Sequence, residues 1–270
     1  DIFSYFVTTA SITGSPKVIP AIAIMLLCAW VVKEGIEVMG RFASLFLILF
    51  VCIIAIGVIF MIPKMEINNL RPIFNEGIKP TIEGAIYTIG FPLSESVIFI
   101  MIFTPSKTGN SPNKIYIKAL LIAGLILFIT SLSEFLVLGT DEYTKTYFPA
   151  YKAVSRINIG DFIQRMEIIP AAAYVIGGFV KLSICLLAIT NGVAKLCNCR
   201  DYRLIVTPIT LLMINGSLFA TSSMMHLFAW TEEIWTTFSL PFQVILPIMI
   251  WIAAEIKKKK IKAVNPSMQK

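Results

Sequence analysis

Apolar runs long enough to cross a bilayer recur along this chain, and short charged loops separate them. A helix rises about 1.5 Å per residue and the hydrocarbon core is about 30 Å thick, so about 20 apolar residues make one crossing. Seven such runs are read here, at about 17–36, 41–62, 81–104, 115–139, 164–195, 203–224 and 235–256. Lipid offers no hydrogen bonds, so each run must pair its own backbone groups, which a helix does and a lone strand does not. The predicted class is therefore an all-α membrane protein, a single transmembrane domain over residues 1–270. Composition agrees: 57% of residues are hydrophobic, 14% are charged and the mean hydropathy is +0.81.

The formal charge of +7 does not argue for a nucleic-acid partner. Much of it is the run Lys257, Lys258, Lys259, Lys260 and Lys262, just past the last span. Lysines there set orientation, so the C-terminus is expected in the cytoplasm. Counting back, the loops at 33–41, 104–118 and 195–203 fall on the same side. That side then holds about 14 Lys and Arg against about 8 opposite, in the direction of the positive-inside rule.

No Ser–His–acid set, phosphate loop or zinc-protease pattern occurs, so no enzyme, cofactor or metal is expected. Cys28, Cys52 and Cys185 lie within apolar runs and read as small core residues. His226 is placed in the loop between the last two spans. Glu37 and Arg41 are four apart and read as a helix-face pair. Asp161, in the long outer loop at about 140–163, is placed to cap the fifth span. That loop reads either as an amphipathic segment shielding the outer face or as a gate.

The third span, Pro80–Phe103, is long enough to cross a membrane but wrong for a continuous helix. Pro92 has no N–H and its ring crowds the carbonyl four residues back. Gly90 loosens the backbone beside it. Glu95 sets a carboxylate near the membrane midplane, where charge is costly. A broken span with an internal acid suggests a small-ligand or ion site built from freed backbone groups and helix ends. A plain proline kink repaired by neighbouring helices is the other reading.

Seven segments then occur in order: KEGIEVMGR at 33–41, RPIFNEGIKP at 71–80, GFPLSE at 90–95, INIGDFIQRMEII at 157–169, FVKLS at 179–183, DYR at 201–203 and LPFQVILP at 240–247. Together they closely resemble the GerAB family, the integral-membrane B subunits of spore germinant receptors. The likeness covers essentially the whole chain. That family is similar to the amino acid/polyamine/organocation transporters, so it implies a transporter-like bundle of ten or more helices in two inverted repeats. The seven spans correspond to helices four to ten of that fold. The opening DIFSYFVTT reads as the tail of an earlier span, with N-terminal helices expected before it. The resemblance implies a ligand pocket shared by the first and sixth helices, both broken, of which this chain holds the sixth.

On that basis the site residues are Ile89, Gly90, Phe91, Pro92, Leu93, Ser94, Glu95 and Lys181. Carbonyls near Ile89 and Gly90 would take the ammonium of an amino-acid-like ligand, and amides near Leu93 and Ser94 its carboxylate, in keeping with the half-helix dipoles. Phe91 would gate the pocket or pack on a side chain. Lys181, flanked by Gly177, Gly178 and Ser183, is the natural partner to test for Glu95, because small residues admit a close helix. A snorkelling lysine is the alternative. For a fully buried pair, removing one partner costs about 3–5 kcal/mol. The resemblance implies a receptor in the spore inner membrane that senses a small nutrient of the amino acid class and acts with A and C subunits. The alternative function is a proton- or cation-coupled amino acid transporter.

Overall fold

The computed structural model describes residues 1–11, 15–72, 77–102, 112–157, 166–221 and 223–264. Among these there is no strand. They form two compact units, Asp1–Asn75 with Met101–Phe228, and Glu76–Ile100 with Ala229–Lys270. Among the described residues, six helical stretches are long and apolar enough to cross a membrane: Ile36–Lys64, Lys79–Met101, Asn113–Leu138, Ile168–Leu196, Arg203–Ala220 and Met224–Lys257. A seventh helix, α2 (Val18–Glu34), is apolar but has only 17 residues. Leu45, Leu47, Ile48 and Ile59 of one helix are each more than 60% exposed. In water each would forgo the roughly 1.5–3 kcal/mol that burying such a side chain brings. Their medium is lipid.

The first unit begins with a short helix, α1 (Ile2–Phe6), running into a π turn at Val7–Ser11. Helix α2 follows, then α3 (Ile36–Met61). Helix α5 (Pro112–Leu138), two short helices α6 (Thr140–Tyr143) and α7 (Pro149–Ser155), the long α8 (Ile168–Leu196) and α9 (Arg203–Ala220) complete it. Its main core sets Ile24, Met25, Cys28, Val31 and Val32 of α2 against Leu186 and Leu187 of α8 and Val206 and Ile214 of α9. These residues recur at helical spacing, so one face of α2 is buried between two neighbours.

The expected loop at 33–41 is far shorter than the sequence suggested. A single residue, Gly35, separates α2 from α3, with φ +108 and ψ 169. Only glycine adopts that conformation without strain. Glu37 then falls in the first turn of α3, where a carboxylate suits the helix dipole. Its expected pair with Arg41 does not form. Both side chains are exposed, where such a pair gains little for the rotamer freedom it gives up.

Two segments far apart in sequence meet at this turn. The Tyr202 hydroxyl donates to the Val32 carbonyl at 3.2 Å. A Cβ on Gly35 would stand 3.7 Å from Arg203 Nη2 and 3.9 Å from Tyr202 Oη. Asp201 accepts from the Arg203 amide at 2.9 Å through its Oδ1 and so starts α9. The KEG and DYR segments thus form one clasp that holds the α2–α3 turn to α9. Tyr202→Phe is expected to cost about 1 kcal/mol, the net worth of one hydrogen bond. Gly35→Ala should cost up to about 3 kcal/mol, since it forces a side chain into a positive-φ conformation. Thermal unfolding of the full-length protein in detergent checks the ranking, and equal losses would contradict it.

The segment after α5 is packed rather than loose. Helix α7 buries Ala153 and Val154 with Met61, Val137 and Leu138, and so roofs the ends of α3 and α5. Glu142 pairs with Lys152 at 3.9 Å and with Arg156, tying α6 to α7. Burial pushes the Tyr143 phenol above its ordinary range. Asp161, the expected cap of the fifth span, lies outside the described residues.

Two further placements differ from expectation. Cys28 is buried and Cys185 half-buried, but Cys52 is exposed. It sits on α3, whose outward surface is apolar, and a small thiol suits lipid as well as a core. His226 is not in a loop. It lies exposed on a helix, α10 (Met224–Trp230), and its amide donates to Ser223 Oγ at 3.2 Å. The chain leaves α9 through extended Thr221, so the turn is shorter than expected and the next helix starts sooner.

The second unit holds α4 (Lys79–Thr88), its irregular continuation as far as Ile100, and the end of the chain. Beyond α10 the last span is not regular. A π turn at Thr231–Trp235, α11 (Thr236–Leu240), a second π turn at Pro241–Ile245 and α12 (Leu246–Val264) succeed one another. The second π turn has a visible cause. Pro247 lacks an N–H and its ring crowds the Gln243 carbonyl, so the turn opens.

Candidate ligand site at the broken helix

Helix α4 ends at Thr88, and Ile89–Leu93 forms a widened turn before a 3-10 stretch, Ser94–Met101. Inside it Phe91 has φ −143 and ψ 125, an extended conformation, and the Phe91–Pro92 peptide is cis. The third span is therefore discontinuous where Pro92 predicts it.

The break partly closes on itself. Ser94 donates to the Ile89 carbonyl through its amide and through its hydroxyl, the latter at 2.6 Å. Ser96 Oγ donates to the Leu93 carbonyl at 2.6 Å. The Ile89 carbonyl and the Ser94 amide, both expected to face a ligand, are thus engaged with each other. Gly90, within the break, brings no side chain to it.

Gly90 is buried, whereas Ile89 and Phe91 on either side are exposed. It lies against Thr236 of α11. A Cβ added at Gly90 would stand 2.8 Å from Thr236 Cγ2 and 3.4 Å from its Cβ and Oγ1. Two discontinuities therefore pack together in this unit, the break at Ile89–Leu93 and the α turn between two π turns. π turns open a helix locally and occur often at functional sites. Thr236 and Ser239 are buried, and the Ser239 hydroxyl donates to the Thr236 carbonyl at 3.4 Å. Trp230 and Trp235 stand 5.5 Å apart between ring centroids. The sequence reading passed over Thr236, Ser239, Trp235 and Gln243. The available signal was LPFQVILP itself, two prolines and a glutamine in an apolar run.

Glu95 is half-buried and belongs to the same unit as Gly90. Lys181 is exposed and belongs to the other unit, on α8. Neither is the fully buried partner that a 3–5 kcal/mol cost presupposes. The small residues near Lys181 serve aromatic packing instead. A Cβ on Gly177 would be 3.2 Å from the Phe50 ring, and one on Gly178 would be 3.1 Å from the Phe3 ring. Ser183 is fully buried and donates to the Phe179 carbonyl at 2.8 Å.

In the first unit the sequence missed a tethered ammonium at a helix end. Lys17 Nζ donates to the Thr221 carbonyl at 2.8 Å and to the Leu218 carbonyl at 3.4 Å, and lies 5.1 Å from the centre of the Tyr5 ring. The last carbonyls of α9 lack helical donors, and a cation there also meets the negative end of the dipole.

Comparison with known proteins gives the functional setting. Residues 2–225 match the spore permease family, described as spore germination protein. The chain is 29% identical to spore germination protein KB of Bacillus subtilis (strain 168) over 262 residues, 96% of this chain and 70% of that protein. It is 28% identical to YfkT of the same organism over 76% of this chain and 56% of that one. It is 23% identical to spore germination protein XB of Bacillus anthracis, over 66% of this chain and 49% of that one. No solved structure matches. The GerAB resemblance and the transporter-like helical class stand on these matches and on the apolar helices. The chain is a multi-pass membrane protein that belongs to the spore germination protein family of the permease type.

Proposed function

We propose that the chain is the integral-membrane B subunit of a spore germinant receptor, sensing a small nutrient of the amino acid class at the broken helix. The observation that carries this reading is the packing of Gly90 under Thr236, which sets an interrupted span against an interrupted span in a family of germination proteins. Gly90, Phe91 and Glu95 supply the ligand contacts, and Pro92 and Ser94 fix the geometry of the break. Lys181 serves as a cation on α8, outside the unit that carries the break. Nutrient binding favours one arrangement of the helices, and A and C subunits read that shift in population. The setting is the spore inner membrane with the C-terminal lysines in the cytoplasm, in keeping with the positive-inside rule.

Glu95 gives the direct test. In spores whose only nutrient receptor contains the full-length protein, Glu95→Gln should raise the nutrient concentration for half-maximal germination by about tenfold, the worth of one charged contact. The response to a germinant that bypasses receptors should not change. A normally abundant Glu95→Gln protein with unchanged nutrient dependence removes Glu95 from the site. Membership of a permease-type family favours a second reading, coupled transport of an amino acid. Uptake of radiolabelled amino acids into vesicles containing the full-length protein separates the two, since a receptor without transport gives none above empty vesicles.

A further inference from the structure

Two buried polar atoms in the last span, Trp235 Nε1 and Gln243 Oε1, have no hydrogen-bond partner among the described residues. Leaving such an atom unpaired costs about 1–3 kcal/mol, so a fold that keeps two of them on one helix needs a reason. The atoms are complementary. An indole N–H can only donate, and a carboxamide oxygen can only accept.

Their positions are related as well. Trp235 ends the first π turn and Gln243 lies within the second, one on each side of α11. In a helix mixing α and π winding, with roughly four residues per turn, positions 235, 239 and 243 recur on one face. Ser239, the middle one, is buried, and Thr236 beside Trp235 is the residue that meets Gly90.

We propose that Trp235 and Gln243 complete the ligand site from the last span and recognise a small zwitterion. The indole N–H donates to its carboxylate and the Gln243 oxygen accepts from its ammonium. This inference rests on the amino-acid reading of the broken helix and adds to it a second wall with its own donor and acceptor. A water molecule would satisfy the same two atoms, and the experiment distinguishes water from the zwitterion.

The test uses spores whose only nutrient receptor contains the full-length protein, exposed in turn to each proteinogenic L-amino acid. For any amino acid that triggers the unsubstituted receptor, Gln243→Met and Trp235→Phe should each raise the half-maximal concentration about tenfold or more. Both variants keep the bulk of the side chain and remove the polar atom. Gln243→Glu keeps an acceptor oxygen and should stay within about threefold, because an ammonium prefers a carboxylate. Receptor abundance in the membrane is measured by immunoblot alongside. If Gln243→Met and Trp235→Phe are normally abundant and respond as the unsubstituted receptor does, water fills the site and this inference falls, while the broken-helix reading stands. If no amino acid triggers the unsubstituted receptor, that reading falls and takes this one with it. Should Gln243→Met fail to accumulate, Trp235→Phe decides by the same criterion.

Discussion

Gly90→Ala in the full-length protein should raise the nutrient concentration for half-maximal germination by roughly ten- to a hundredfold, and Thr236→Ser should restore much of it. The added Cβ would lie 2.8 Å from Thr236 Cγ2, closer than real Cβ contacts come. Thr236 cannot easily give way, since it is 6% exposed and β-branched, with restricted rotamers on a helix. Gly90 has no positive φ, so the backbone itself accepts alanine and the whole penalty is steric. Overpacking of this kind costs about 1–3 kcal/mol, and each 1.4 kcal/mol is tenfold in an equilibrium. Serine lacks the offending methyl, which makes the double variant a rescue rather than a second injury. Two contacts at 3.4 Å remain, so recovery should be incomplete. Additive losses in Gly90→Ala/Thr236→Ser, at normal receptor abundance, would show that the two residues do not act through each other.

The sequence made one side of that contact readable and hid the other. Gly90 and Pro92 announce a break because one lacks a side chain and the other a donor, and the extended Phe91 lies between them. Thr236 carries no such mark. It sits in an apolar run that reads as an ordinary helix, and hydropathy is blind to whether a turn closes after four residues or five. The same blindness placed His226 in a loop, because the span was started at 235 whereas helix begins at Met224. Lys17, at a span's edge, caps a helix end that sequence could not show to be near. Length and apolarity, by contrast, gave the helical class directly, because lipid allows so few alternatives.

Phe6→Ala should cause the largest loss of stability in the first unit, about 3–5 kcal/mol. The side chain is 1% exposed, the bulkiest fully buried one among the described residues. Its ring stacks on Tyr174 of α8 at 4.3 Å between centroids and meets Phe148 and Tyr151 edge-on at 5.0 and 6.0 Å. It therefore joins three elements distant in sequence: α1, the start of α7 and the long α8. Such aromatic pairs contribute about 0.5–1.5 kcal/mol beyond their buried area. In lipid the hydrophobic gain from leaving water is small, so close packing carries more of the stability and a cavity is felt strongly. Phe6→Leu should cost less than Phe6→Ala, since it fills part of the space, but more than Phe3→Leu, whose ring is only half-buried. Thermal unfolding of the full-length protein in detergent gives the order. The roof formed by α7 should loosen first, so a protease site introduced near Lys152 should become cleavable in Phe6→Ala at temperatures where the unsubstituted protein resists. Equal protease resistance in the two proteins would mean that α7 is held by Glu142 and its Lys152 and Arg156 pairs, and that the aromatic cluster contributes packing to α1 and α8 alone.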